Sequence, residues 1–347
     1  MTAILRAPFP WFGGKARAAS IIWQALGNVP NYVEPFAGSL AVLLARPHLP
    51  GVETVNDIDT YLANFWRAVA VDPEGVAAHA DWPVNEADLH AWHKWLTHGP
   101  PDEAAALRAA AAQARAALGA GSMELATSIL DKALSETRRP LGPDFRERMR
   151  TDPNFFDCEV AGRWVWGISQ WIGDGWCTNP EWEGRAHPGN GLRGIHGRRA
   201  SEGPEAVRAW FRALGERLRR VRVYCGDWAR VLTPSATVQL GVTGVLLDPP
   251  YDEEEDVYNE AAAQVSRAVR EWALANGDNP KLRIALCGYE GEHTMPPTWR
   301  CVAWEASGGY AAARGSKENS KRERVWLSPH CLKAAQADLF EAGRAAP

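Results

Sequence analysis

Residues 245–251, Val-Leu-Leu-Asp-Pro-Pro-Tyr, restrict the possible folds of this chain more than any other stretch. The apolar run reads as a buried strand of a parallel sheet. Asp248, Pro249 and Pro250 end it abruptly, because proline offers no N–H to a ladder and restricts the residue before it. A carboxylate, a rigid carbonyl and the ring of Tyr251 are left at the carboxyl edge of a strand, where open α/β sheets bind ligands. The same residues also suit a turn whose aspartate caps the next helix, so other segments must decide.

The start of the chain supplies them. Residues 31–44 read as a short strand, a turn with one glycine, and an apolar helix, the opening unit of a Rossmann-type fold. Gly38-Ser39-Leu40 stands where a dinucleotide fold would carry more glycines, which suits a nucleoside without a pyrophosphate. A second strand, 53–56, runs into Asp57-Ile58-Asp59, and an acidic residue about 20 positions after a glycine turn is placed to hold ribose hydroxyls. Asp59 suits the N-cap of a helix over 60–71, which leaves Asp57 for the sugar. Upstream, Gly13, Gly14 and Lys15 form either a bend from which the lysine reaches an anion or an ordinary helix entry.

The sheet pattern then stops between about residues 76 and 219. Alanine-rich stretches at 102–118 and 123–137 predict a surface hairpin of two helices. Beyond it come Arg163, Trp164, Trp166, Trp171, Trp176 and Trp182, interleaved with Gly173, Gly175, Gly189 and Gly191. Arginines follow, among them Arg185, Arg193, Arg198, Arg199, Arg208, Arg212, Arg217 and Arg222. Aromatics and arginines in this order suit a segment that reads nucleic acid; they equally suit a small tryptophan core beside a solvated helix face. Strand pattern returns at 222–225, 282–287, 300–305 and 323–327, with a helix over 260–275. The acidic run 252–256 and the glycine- and lysine-bearing 308–321 read as exposed loops.

Composition narrows the class. With 347 residues, 46% hydrophobic and 23% charged, the chain has the makeup of a soluble globular protein of two or three domains. A net charge of −4 gives no global nucleic-acid signature, although a local basic face suffices for phosphate contact. No apolar run reaches membrane-spanning length, and the N-terminus carries no signal-peptide pattern. Six scattered cysteines without a Cys-x-x-Cys pair argue against a zinc site and for reduced thiols in a cytoplasmic protein.

Trp11 to Lys15, Val33 to Gly38, Asp57, Gly226-Asp227-Trp228 and Asp248 to Tyr251, in that order, resemble the Dam-like DNA adenine methyltransferases. The resemblance implies an α/β fold: a Rossmann-like, class I S-adenosylmethionine-dependent catalytic domain at 1–75 and 220–332. It implies a helical and loop-rich target-recognition domain inserted at 76–219, and a tail at 333–347. By the same resemblance, Trp11, Gly14 and Lys15 contact the cofactor, with Lys15 near its methionine carboxylate. Glu34, Pro35, Phe36 and Gly38 wall the methionine, Asp57 holds the ribose, Ile58 and Trp228 sandwich the adenine, and Asp227 meets its amino group. Asp248, Pro249, Pro250 and Tyr251 are the implied catalytic residues, with Asp248 also beside the cofactor. The implied partner is double-stranded DNA, with neither metal nor membrane involved; the arginine-rich makeup of the insert, apart from the resemblance, makes Arg163, Arg193, Arg198 and Arg199 the expected DNA contacts. Cytosine-amine methylation and a non-catalytic DNA-binding protein of this fold are the alternatives. Leu40 departs from the family's second turn glycine, and the tryptophan-rich insert departs from its recognition segment.

Overall fold

The structure is a computed structural model describing residues 5–11, 14–99, 103–137, 143–171, 176–177, 193–251, 260–304 and 322–333. Phe12, Gly13, Trp182, Arg185, the four glycines between 173 and 191, the acidic run 252–256, the loop 308–321 and the tail beyond 333 lie outside the described residues.

The strands are β1 (Asn31–Glu34), β2 (Val52–Asp57), β3 (Val221–Cys225), β4 (Thr243–Leu247), β5 (Leu282–Tyr289), β6 (Arg300–Ala303) and β7 (Glu323–Leu327). They form one sheet in the order β3-β2-β1-β4-β5-β7-β6. All neighbours are parallel from β3 to β5, and β7 runs antiparallel to both β5 and β6. This mixed α/β sheet, mostly parallel with one reversed strand, is consistent with the Rossmann-like class I fold that the resemblance implies. The order reverses between β1 and β4, which places a ligand crevice outside their carboxyl ends.

Burial on both faces explains why β4 reads as an unbroken apolar run. Leu246 enters one core with Tyr32, Val55, Ala285 and Cys287, whereas Val245 and Leu247 enter a second core with Val33, Ile284 and Leu286. The alternation is the strand's own period of two. Burying each such side chain contributes about 1.5–3 kcal/mol, so the sequence here has no room for a polar residue until Asp248.

The first core continues through the helices α1 (Ala19–Leu26), α2 (Ala41–Leu44) and α3 (Thr60–Val71). Asp59 caps α3 by accepting hydrogen bonds from the amides of Tyr61 (2.9 Å) and Leu62 (3.2 Å), as its position predicts. Among the described residues, eight helices then intervene before β3: α4 (Pro73–Ala80), α5 (Glu86–His98), α6 (Glu103–Gly119), α7 (Met123–Thr137), α8 (Pro143–Thr151), α9 (Cys158–Ile168), α10 (Gly194–Glu202) and α11 (Pro204–Leu218). The insert thus opens between α3 and β3. Helix α12 (Glu260–Asn276) covers the second core, where Val269 and Ala273 are buried.

The described tryptophans of the 164–182 stretch are core residues, which decides between the two readings in favour of a tryptophan core. Trp164, Trp166, Trp171 and Trp176 are all buried, in one core with Phe65, Trp66 and Phe211. Phe9 packs edge-on against Phe65 and Trp164. The Trp176 indole donates to the Trp164 carbonyl at 3.1 Å, and that of Trp166 to the Trp82 carbonyl at 3.0 Å. Gly167 is required for this: a Cβ there would lie 1.9 Å from the Trp176 ring. The helices of the insert therefore pack on α3 through a shared core. The α6–α7 hairpin has a small core of its own, Ala114, Ala117 and Ala126.

Candidate active site

Two Pro-containing strand ends meet at the β1/β4 reversal. After β1, Glu34 is buried, and Gly38 (φ 46°) turns the chain with its amide held by Asp57 Oδ2 at 3.0 Å. A Cβ on Gly38 would meet the Trp11 indole nitrogen at 2.6 Å, so glycine is what lets Trp11 lie against the turn. Leu40, where the family would place glycine, also adopts a left-handed conformation (φ 53°, ψ 26°) and is wholly buried. The turn shape is therefore kept by a leucine, whose backbone strain is offset by its burial in the core.

Asn56 fastens the neighbouring strand ends, donating to the carbonyls of Pro35 and Gly226 at 3.0 Å each. Asp57 also accepts from the Asp59 amide at 2.9 Å. Burial lifts the Asp57 pKa to about 6, against the lowering effect of the Gly38 amide. Beside it, Ile58 is 68% exposed at the ligand edge of the sheet. After β3, Asp227 is exposed and caps the short 3-10 turn Trp228–Val231 by accepting from the Ala229 amide at 2.9 Å. Trp228 stacks on Phe36, with ring centroids 6.1 Å apart and planes 25° apart. Apolar rings and an exposed isoleucine beside a carboxylate form a surface suited to a nucleoside.

On the β4 side the charged groups converge. Asp248 Oδ1 receives Lys15 Nζ at 3.0 Å and the Tyr251 hydroxyl at 3.1 Å. The same hydroxyl lies 3.0 Å from Glu323 Oε2, and Lys15 Nζ lies 3.9 Å from that oxygen. Lys15 and Glu323 are each only 4% exposed. Burial disfavours the Lys15 ammonium, but its neighbours, Asp248 foremost, outweigh burial and lift its pKa above the usual value. Burial raises the Glu323 pKa, opposed chiefly by Lys15. Burial also holds the Glu34 carboxyl well above the carboxylate range, while the Tyr32 hydroxyl donates to it at 3.2 Å. The Tyr251 ring meets Tyr289 edge-on at 4.6 Å, with Lys15 Nζ 4.9 Å from its centroid. Pro249 is buried and Pro250 exposed, so the backbone after Asp248 is rigid and one proline faces outward.

A strand-end carboxylate followed by Pro-Pro-Tyr thus stands across the β1/β4 reversal from the Phe36–Trp228 pair and Asp57. Residues 11–86 match the family model of the D12 class N6 adenine-specific DNA methyltransferases. That part of the chain is similar to the family. The match covers Trp11, Lys15, the Gly38 turn and Asp57, and the methylated base that the family's description names is adenine. Comparison with curated proteins finds no match to the chain. Among the described residues, no helix is long and apolar enough to cross a membrane.

The arginines of the insert are engaged within the protein. Arg163 lies over the rings of Trp82 and Trp92, 4.9 and 4.0 Å from their centroids, and 3.9 Å from Glu159. Arg198 lies over Trp210 and pairs with Glu202 at 3.2 Å. Arg199 pairs with Asp81 at 2.8 Å, and Arg193 is half-buried at the start of α10. Arg217 is structural: it grips Glu53 bidentately at 2.7 and 2.9 Å and donates to the Leu43 carbonyl at 3.0 Å. Arg46 takes the other side of Glu53 at 3.1 Å, which ties α11 to β2.

Two site residues escaped the sequence reading, Asn56 and Glu323. Asn56 shows only as one amide between Val55 and Asp57. Glu323 shows only as an acid opening an otherwise apolar strand. The antiparallel direction of β7 brings its first residue opposite Tyr289, at the carboxyl end of β5 and so at the ligand edge.

Proposed function

We propose that the chain transfers the methyl group of S-adenosylmethionine to the N6 amine of an adenine flipped out of duplex DNA. The observation that carries this reading is Asp248, held at the strand reversal by Lys15 and Tyr251 on one oxygen only. An adenine amine is a poor nucleophile because its lone pair is delocalised into the ring. Donating its hydrogens to Asp248 Oδ2 and the Pro249 carbonyl turns the lone pair toward the methyl and fixes the approach. Proline rigidity keeps both acceptors still, and Tyr251 borders the space where an extruded base would lie. S-adenosylmethionine supplies a methyl on a sulfonium whose departure as a neutral thioether drives the step.

Residues on the other side of the reversal fit that cofactor. Ile58 and the Phe36–Trp228 pair offer apolar surface to its adenine, with Asp227 exposed beside it. Asp57, raised in pKa by burial, gains from ribose hydroxyl donors, which favour its ionised form. Gly14, Gly38, Glu34 and Pro35 border the methionine. Lys15 has three N–H donors, so a methionine carboxylate could join Asp248 at the ammonium.

We assign 1–75 and 220–332 to catalysis in the cytoplasm and 76–219 to target recognition, with Arg163, Arg193, Arg198 and Arg199 exchanging internal partners for DNA. The test is Asp248→Ala. Methyl transfer should be lost while S-adenosylmethionine still binds by calorimetry and DNA affinity stays within about threefold, since the interactions removed belong to the transition state. A well-folded Asp248→Ala protein that still methylates DNA removes Asp248 from the mechanism.

A further inference from the structure

Asp248 is held asymmetrically. Oδ1 takes both Lys15 and the Tyr251 hydroxyl, and among the described residues Oδ2 has no such partner. The hydroxyl that reaches Oδ1 also reaches Glu323 Oε2, at 3.0 Å. A phenol has one hydrogen, so it donates to one carboxylate at a time and can accept from the other only if that one is protonated. Lys15 sits between the same two carboxylates and is buried. Asp248 reaches Tyr251 and Lys15 from one side only, and the ring of Tyr251 meets Tyr289 by its edge. Glu323 is the anchor on the far side of both. It is fixed in turn by β7, whose backbone pairs with β5 from Tyr289 to Ala285.

We propose that Glu323 is a positioning residue for methyl transfer: ionised, it holds Tyr251 and Lys15 on Asp248 Oδ1 and so leaves Oδ2 turned to the adenine amine. The proposal rests on the reading of Asp248 given above. It makes the rate depend on the charge of Glu323, which faces Lys15, Asp248, Tyr251, Cys287 and Glu292. When Glu323 is protonated, the attraction on Lys15 is lost and the carboxyl becomes a competing donor in the network. Burial raises the Glu323 pKa, so this loss begins at a higher pH than for an exposed glutamate.

Glu323→Gln keeps the size and one acceptor but fixes the group in the uncharged state. Single-turnover methylation of duplex DNA should slow by roughly 10- to 100-fold at neutral pH, the scale of a small misplacement of a catalytic group. The acid limb of its pH–rate profile should move to lower pH, because the titration of Glu323 is gone. S-adenosylmethionine affinity by calorimetry, a readout independent of activity, should change far less than the rate. Should Glu323→Gln not fold, Tyr251→Phe carries the same test, since it removes the hydroxyl joining the carboxylates. A profile with the parent's rate and acid limb overturns the proposal. Run beside it, Asp248→Ala separates the two claims: its inactivity with an unaltered Glu323→Gln profile refutes the role of Glu323 alone, and its activity refutes the site.

Discussion

Leu40 offers a test in which two opposing energies can be read separately. Its backbone is left-handed at φ 53°, a conformation that costs a side-chain-bearing residue about 1–2 kcal/mol. Its side chain is wholly buried, and truncating a buried leucine to alanine costs about 2–5 kcal/mol. Burial therefore wins, and leucine is tolerated where glycine would be unstrained. Leu40→Ala keeps the strain and loses the packing, so it should destabilise by about 2–5 kcal/mol. Leu40→Gly loses the same packing but relieves the strain, against about 0.4–1 kcal/mol of added unfolded-state freedom. The glycine variant should consequently be the more stable of the two by roughly 1 kcal/mol, the reverse of the usual order at helix positions. Urea unfolding of the cofactor-free protein, read as midpoint shifts at constant slope, measures this. An alanine variant as stable as the glycine variant, or a glycine variant more stable than the parent, would refute the reasoning.

Three further outcomes follow from the packing and charges. Gly167→Ala should lower stability by about 1–3 kcal/mol or prevent folding, because the new methyl meets the Trp176 ring; an unchanged melting temperature and near-ultraviolet dichroism would contradict it. Arg217→Met should cost about 3–5 kcal/mol by leaving Glu53 without its bidentate partner, yet leave the salt dependence of DNA binding as in the parent; neutralising Arg163, Arg193, Arg198 and Arg199 should by contrast flatten that slope by about 0.9 for each phosphate no longer neutralised. Asp57, whose pKa rises from 3.8 to about 6 on folding, contributes stability that is present below pH 3.8 and lost as pH rises through 6. Asp57→Asn should therefore gain stability relative to the parent as pH rises through that window, while weakening cofactor binding, and parallel pH–stability curves would exclude the shift.

What could be read in the sequence was local. The Asp-Pro-Pro break fixes the end of β4, Asp59 fixes the start of α3, and Glu323 to Leu327 form a strand with the bounds that their apolar pattern predicts. These depend on neighbours a few residues away. The direction of β7 does not, and it alone places Glu323 in the site. Nor does spacing show that Lys15 reaches Asp248, 233 positions on, since only the sheet order brings the two loops together. The tryptophans stayed ambiguous for a related reason. Burial depends on partners such as Phe65 and Phe211 from distant helices, and the glycine that admits Trp176 looks in sequence like a loop residue.

The central claim is that this chain methylates adenine N6 in DNA with Asp248 as acceptor. Incubation with S-adenosylmethionine carrying a labelled methyl and mixed-sequence duplex DNA, followed by digestion to nucleosides, tests it most directly. All label should co-migrate with N6-methyldeoxyadenosine, and Asp248→Ala should give none. Label on a cytosine nucleoside, no label on DNA, or undiminished label from a folded Asp248→Ala protein would contradict the account.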